Sequence, residues 1–449
     1  MSTRSVTATR ELNKKILSIA IPTFGQLFAE SALVLVDTAI VGHISTQALS
    51  GLSIGSGLIL TAVGLCVFLA YGTTSQVGTL MGAGKRKQAL ETGINGIWLA
   101  LSIGIAISII LFLFAEPMSY VLGARGEILD NSVTYIHTMV FGVPGALLVY
   151  AANGIFRAAN KASLPLIAAC VGTAVNILLD LAFVFGLHLG IAGSGYATFI
   201  AQWVMGLIVA IPAFTWARKL KANIMPQVKS IVSTAQNGFM LFLRTLAMRT
   251  ALVTNIILAT NMGAQVLASY QVVNAHFNFV MNMLDAIAIA GQALVANELG
   301  AQHKQQAQNL LHYCAKVGFY SGILIGVLLI ILGFTTPHFY SNDSAVITLI
   351  TAGMCVLGLF LPLSGWMWAL DGILIGAGDY TYLAKTCLIV VLAYIPSAYI
   401  MYELCTIYSS TQIIRTILLW LLICISFIGG RAICNGLRAR GTAWMNSYQ

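Results

Sequence analysis

Along most of this chain apolar residues run on for twenty positions or more before a short polar cluster interrupts them. Coiled as a helix at ~1.5 Å per residue, about 20 such residues cross the ~30 Å hydrocarbon core of a bilayer. Windows of this kind fall at roughly 15–44, 47–80, 88–115, 131–157, 162–186 and 191–217. A second set falls at roughly 230–260, 265–297, 307–334, 345–374, 381–405 and 411–437. The pattern predicts twelve spanning helices, joined by connections too short to hold a soluble domain.

Composition agrees. Of 449 residues, 58% are apolar and 8% charged, whereas a water-exposed surface needs about a quarter charged. The net charge of +9 would suit a nucleic-acid binder if it were clustered. Instead the basic residues sit in alternate loops. Arg4, Arg10, Lys14 and Lys15 precede the first span, and Lys85, Arg86 and Lys87 follow the second. Arg157, Lys161, Arg218, Lys219, Lys221, Lys229, Lys304, Lys385, Arg431, Arg438 and Arg440 fall on that same side. The opposite loops hold Arg125 and Arg415 as their basic residues. This bias places both termini in the cytoplasm and leaves no nucleic-acid role for the charge. The basic N-terminal segment shows no cleavage motif, so the first apolar run reads as a spanning helix and not a signal peptide. Eight cysteines are scattered without Cys-x-x-Cys or Cys/His spacing, which predicts neither a disulfide framework nor a structural metal site.

The chain repeats itself at an offset of 218 residues. GAGKRKQA at 82–89 meets GAQHKQQA at 300–307, QALSGLSI at 47–54 meets QVLASYQV at 265–272, and NGIFRAAN at 153–160 meets DGILIGAG at 371–378. One constant offset across three segments implies two six-helix halves. The expected organisation is an N-terminal lobe (1–217), a basic cytoplasmic linker (218–229) and a C-terminal lobe (230–449). An even number of spans per half makes the repeat parallel, related by a pseudo-two-fold axis along the membrane normal. The predicted fold is an all-α integral membrane protein, and repeats of this kind favour transporters. The halves differ in their acids: Asn255 stands at the equivalent of Asp37, and Ala398 at that of Asp180. Ion coupling is therefore expected in the first half, with a mostly apolar wall in the second.

Ionisable residues inside spans are costly and usually face a bundle interior or a cavity. Asp37 lies about six residues before the outer end of span 1, Asp180 about seven before that of span 5, and Thr198 about seven into span 6. At ~1.5 Å per residue all three are roughly 10 Å deep. Asn176 precedes Asp180 by four residues, on the same face one turn deeper. Carboxyl, amide and hydroxyl oxygens at one level can hold a proton shared between two acids, or Na⁺. A structural hydrogen-bonded pair is the plainer alternative for the two acids. Glu30, seven before Asp37, lies two turns deeper on a similar face. Pro22 interrupts span 1 and favours a bend. In span 7, Arg244 and Arg249 are expected to pair with Asp285 and Glu298 of span 8, while Asp371 and Asp379 are expected at an interfacial loop.

VDTAIVGHIS, GAGKRKQA, NGIFRAANKASLP and VNILLDLAFVFG together resemble the multidrug and toxic compound extrusion (MATE) family, and within it the DinF-type prokaryotic branch. The resemblance covers all twelve spans. It implies a cation-coupled antiporter of the prokaryotic cytoplasmic membrane that expels lipophilic or cationic compounds in exchange for H⁺ or Na⁺. It implies no enzyme activity, cofactor or metal other than that ion, and a monomer whose partners are small molecules and lipid. Residue by residue, it maps the coupling site to Asp37, Asn176, Asp180 and Thr198, and a proline hinge to Pro22. Tyr135 and Asn153 match cavity positions and join Glu30 and Gln202 as candidates for the substrate cavity. Leu33 stands where some relatives carry tyrosine, and Gln292 where some carry glutamate. A flippase for lipid-linked saccharides is the rival reading, but it would want a strongly basic cavity.

Overall fold

A computed structural model describes residues 3–408 and 411–446, with side chains described from residue 12. Arg4 and Arg10, counted above for orientation, have side chains outside the described residues. Among the described residues, twelve helices are long and apolar enough to cross a membrane. They are α1 (Thr3–Gly42), α2 (Thr46–Gly82), α3 (Arg86–Val121), α4 (Glu127–Ala158), α5 (Ser163–Gly186) and α6 (Gly190–Lys219). The second set is α7 (Val228–Asn261), α8 (Ala264–Gly300), α9 (Lys304–Thr335), α10 (Ser344–Gly376), α11 (Tyr380–Ile407) and α12 (Gln412–Arg440). Each predicted window holds one helix, with ends shifted by several residues. Among the described residues there is no strand.

Two compact units divide the chain, Met1–Phe239 and Met240–Gln449. The boundary falls inside α7, beyond the expected linker, for a local reason. The loop between α6 and α7 is pinned to α3 by three hydrogen bonds. Trp98 Nε1 donates to the Ile224 carbonyl at 3.0 Å, Asn223 N to Glu91 Oε1 at 3.0 Å, and Gln227 N to Asn95 Oδ1 at 2.9 Å. Glu91 and Asn95, near the start of α3, thus accept two backbone N–H groups of this exposed loop.

In the first unit α4 is the central post. From Val143 to Ala158 every residue except Tyr150 is buried, because Gly145, Ala146, Ala151, Ala152, Gly154 and Ala158 let α2, α3 and α6 approach closely. Regular winding is broken where polar side chains must be aimed. A turn at Cys66–Val67 interrupts α2, a tightened turn spans Val140–Gly142 in α4, and a wide π turn runs from Leu181 to Gly186, directly after Asp180. Wide turns of this kind cluster at functional sites in helical proteins. The helix α1 runs unbroken through Pro22.

The second unit is held by backbone contact and aromatic packing. Gly318, Gly322 and Gly326, one turn apart on α9, lie directly against the backbone of Gly365, Leu361 and Gly358 on α10. No side chain fits between them, and this small-xxx-small spacing is what helix pairs use where lipid offers no hydrophobic drive. The Trp420 indole stacks on Tyr270 at 5.3 Å and meets Phe277 edge-on at 6.2 Å.

The charges of the second unit pair differently from the sequence-based expectation. Arg244 forms an ion pair with Asp371 of α10. Arg431 Nη2 joins Asp371 at 3.1 Å and Asn435 Nδ2 donates to its other oxygen at 3.1 Å. Asp371 is therefore buried rather than interfacial, and Asp379 is buried too, in an ion pair with Arg438 at 2.6 Å. Glu298 instead meets His303, and Arg249 is exposed. Arg244 reaches Asp371 because α7 passes α10 at this level, a proximity that the order of helices along the chain does not announce. Removing one partner of a buried ion pair leaves an uncompensated charge, at about 3–5 kcal/mol. Asp371→Ala, which strands Arg244 and Arg431 together, is expected to destabilise the purified protein by that order, read as a lowered unfolding temperature in detergent.

Candidate functional site

The four residues singled out for ion coupling converge in the first unit. Asp37 from α1, Asn176 and Asp180 from α5 and Thr198 from α6 are all at most 5% exposed. The carboxyls of Asp37 and Asp180 face each other at hydrogen-bonding range. The Thr198 hydroxyl lies 3.1 Å from Asp37 Oδ2 and 3.0 Å from the Ser194 carbonyl, and it donates to either. With its amide nitrogen turned to the acids, Asn176 donates to Asp37 Oδ1 at 2.8 Å and to Asp180 Oδ2 at 3.3 Å. That orientation follows from its surroundings, since an amide facing two carboxyls is satisfied only by offering its donors. The Tyr135 hydroxyl reaches Thr198 from α4. Two facing carboxyls form a hydrogen bond when one proton lies between them and a repulsion when none does.

Asp37 is the member of the pair that meets open space. A cavity of about 140 Å³ is lined by Glu30, Asp37, Tyr135, Tyr150, Thr198 and Gln202 among polar residues, and by Leu33, Leu52, Ile59, Met139 and Met205 among apolar ones. Among the described residues, neither lysine nor arginine lines it. Asp180, fully buried, lies behind Asp37 and outside the lining. Of the four residues expected in a substrate cavity, Glu30, Tyr135 and Gln202 line this one. Asn153 is not among its lining residues. The cavity-facing stripe of α4 runs through Ala146, Val149 and Tyr150, and Asn153 continues it one turn past the cavity floor, where helices close around it.

Two further contacts were not anticipated from sequence. Gln26 Nε2 donates to Glu30 Oε1 at 2.7 Å, and Arg157 Nη2 donates to Gln26 Oε1 at 2.9 Å. The i, i+4 spacing of Gln26 and Glu30 was a signal for the first. Nothing local announces the second, which joins residues 131 apart in sequence.

The second half keeps the plan of this site without its acids. At the same offset of 218, Asn255 and Tyr394 replace Asp37 and Asn176, and they hydrogen-bond to each other while fully buried. Tyr270 and Phe277 stand for Leu52 and Ile59, and Gly353 for Tyr135, with the Trp420 ring packed on it. Bulk that is missing around the first-half cavity fills the second.

The family model described as MatE matches the chain twice, over residues 22–182 and 241–400. The chain belongs to the MATE family. Its second match begins and ends close to 218 residues after its first, in register with the internal repeat. The chain is 27% identical to Protein DETOXIFICATION 44, chloroplastic, of Arabidopsis thaliana, over 85% of this chain and 75% of that protein. It is 25% identical to the multidrug resistance protein NorM of Vibrio vulnificus, over 74% of this chain and 75% of that one. The solved MATE transporter VcmN of Vibrio cholerae, in its bent form, superposes with a TM-score of 0.86 at 18% identity, covering 98% of this chain and 99% of that one. The protein is thus a multi-pass MATE transporter and not an enzyme.

A hydroxyl that donates to Asp37 stabilises its carboxylate form and does less for the protonated acid. Thr198→Val keeps the shape of this MATE site and removes the donor, at about 1.5–3 kcal/mol for a hydrogen bond to a charged group. The unfolding temperature of the variant is expected to fall furthest at high pH, where the pair carries its charge, and to approach the parent at low pH.

Proposed function

We propose that this MATE protein is a proton-driven antiporter that exports lipophilic organic cations, with Asp37 and Asp180 carrying the coupled proton. The contact between the two carboxyls carries the reading. Donors rather than acceptors surround the acids: the Thr198 hydroxyl and the Asn176 amide both point at carboxyl oxygens. With their hydrogens aimed at carboxyl oxygens, the hydroxyl and the amide solvate an anion, and Na⁺ would need both groups to turn their oxygens toward it. A proton between two acids needs only the acids.

The cavity supports the choice of cargo. Its two acids, Glu30 and Asp37, are set among methionine, leucine and tyrosine side chains, and aromatic faces attract cations. In the outward-facing state a proton binds to the pair, the attraction for a cationic compound drops, and the cargo leaves. In the inward-facing state the proton departs to the cytoplasm and cargo loads in its place. A neutralised carboxyl changes the differential binding between two states, which is what drives a population shift. Relatives such as NorM are named multidrug resistance proteins. A flippase for lipid-linked saccharides gains no support from a cavity without basic residues. The loop charges support both termini lying in the cytoplasm.

In everted vesicles carrying the protein, dye efflux should collapse with a protonophore and persist when Na⁺ is replaced. Asp37→Asn and Asp180→Asn should each reduce it to the level of empty vesicles. Efflux that survives both substitutions, or that follows Na⁺ alone, would refute the proposal. Tags at either terminus should be protease-accessible in everted vesicles and protected in intact cells.

A further inference from the structure

We propose that Glu30 is a second proton station, through which the Asp37–Asp180 pair exchanges its proton with the cytoplasmic side, and that Gln26 and Arg157 are its positioning residues. The inference rests on the antiport reading above and adds a route to it. Asp37, Glu30, Gln26 and Thr23 are spaced by seven, four and three residues, so one face of α1 carries a polar side chain at nearly every turn. Such a stripe in a spanning helix is costly unless it lines a path.

Geometry connects the steps. Glu30 and Asp37 are the acids lining one cavity, which is large enough for several waters. They stand seven residues apart, about 10 Å along the helix axis. That is too far for direct contact and short enough for a bridge of one or two waters. On its other side Glu30 accepts from Gln26, which accepts from Arg157 in the last turn of α4, beside the exposed Asn160–Lys161 turn. Two buried polar atoms flank this link with no hydrogen-bond partner among the described residues: Asn153 Oδ1, one turn before Arg157, and Thr23 Oγ1, one turn before Gln26. Buried polar atoms of this kind are satisfied by ordered water. The charged groups around Glu30 are Arg157 from α4 and Asp37 on its own helix, with Asp180 of α5 behind Asp37. The cavity-lining residues of α2 and α6 carry no charge.

The transfer balances simply. An O–H bond of the protonated pair breaks, a cavity water takes the proton and passes it to a Glu30 carboxylate oxygen, and the pair is left with one proton fewer. Glu30 then gives the proton to water at the level of Asn153 and Thr23, and it continues to the cytoplasm. Arg157, held through Gln26, keeps Glu30 turned toward this side and supplies a fixed cation that favours its return to the carboxylate.

Proteoliposomes with a fluorescent organic cation separate the station from a cargo ligand. Glu30→Gln should keep a larger share of cation binding and of cation-for-cation exchange, which moves no proton, than of gradient-driven efflux. Efflux driven by a pH gradient should slow by at least about tenfold, the loss expected when a proton-transfer group is removed, and Glu30→Asp should restore it. Gln26→Leu leaves the carboxyl in place and cuts its link to Arg157. It should shift the dependence of efflux on cytoplasmic-side pH, and it carries the test if Glu30→Gln does not fold. Gradient-driven efflux at the parent rate in Glu30→Gln would overturn the proposal. So would equal loss of binding, exchange and gradient-driven efflux, which marks a cargo ligand. If the parent shows no response to a pH gradient, the antiport reading itself fails, a result that unaltered Asp37→Asn transport would also give.

Discussion

A carboxyl group enclosed by packed helices is tolerable only if it is neutral or if fixed donors replace the water it has lost. Asp37 and Asp180 meet both conditions at once. They face each other, so one proton can serve two acids, and Thr198 and Asn176 supply donors when that proton is gone. The demand for three helices to meet at one depth follows from this. It sets α1, α5 and α6 around a single point, with a wide turn of α5 directly after Asp180.

The duplication makes the two halves a natural comparison. Both run through the same order of helices, and the family model matches each. In the first half, space is left open beside the acids. In the second, tyrosine, phenylalanine and tryptophan close it, and a neutral Asn255–Tyr394 bond takes the place of the titratable pair. The carboxylate that the second half does bury, Asp371, is held by two arginines and an asparagine. A buried charge balanced in that way contributes to a fixed structure and is poorly placed to respond to an external cation. One duplicated plan has thus diverged into a half with a changeable charge and a half with permanent ones.

Within the first unit α1 does more than supply Asp37. Its polar stripe ends at Thr23, beside Pro22, where a backbone hydrogen bond is already missing. The Gln26–Arg157 link ties α1 to α4 just above that point. A bend at Pro22 would therefore have to break or carry this link, which couples the geometry of the helix to the groups along its face.

Much of this was legible in the linear chain. Twelve apolar runs, an offset of 218 and a basic bias of alternate loops are local or periodic properties, and a bilayer turns them into helices with little freedom. The shared depth of Asp37, Asp180 and Thr198 could be counted because α-helical rise is fixed. Partnerships across long sequence separations could not. Arg244 meets Asp371, Arg157 meets Gln26, and the interhelical loop docks on α3. Each of these depends on which helix faces which and at what rotation. Small residues and side-chain volumes decide that jointly across the whole bundle, and no segment encodes it alone.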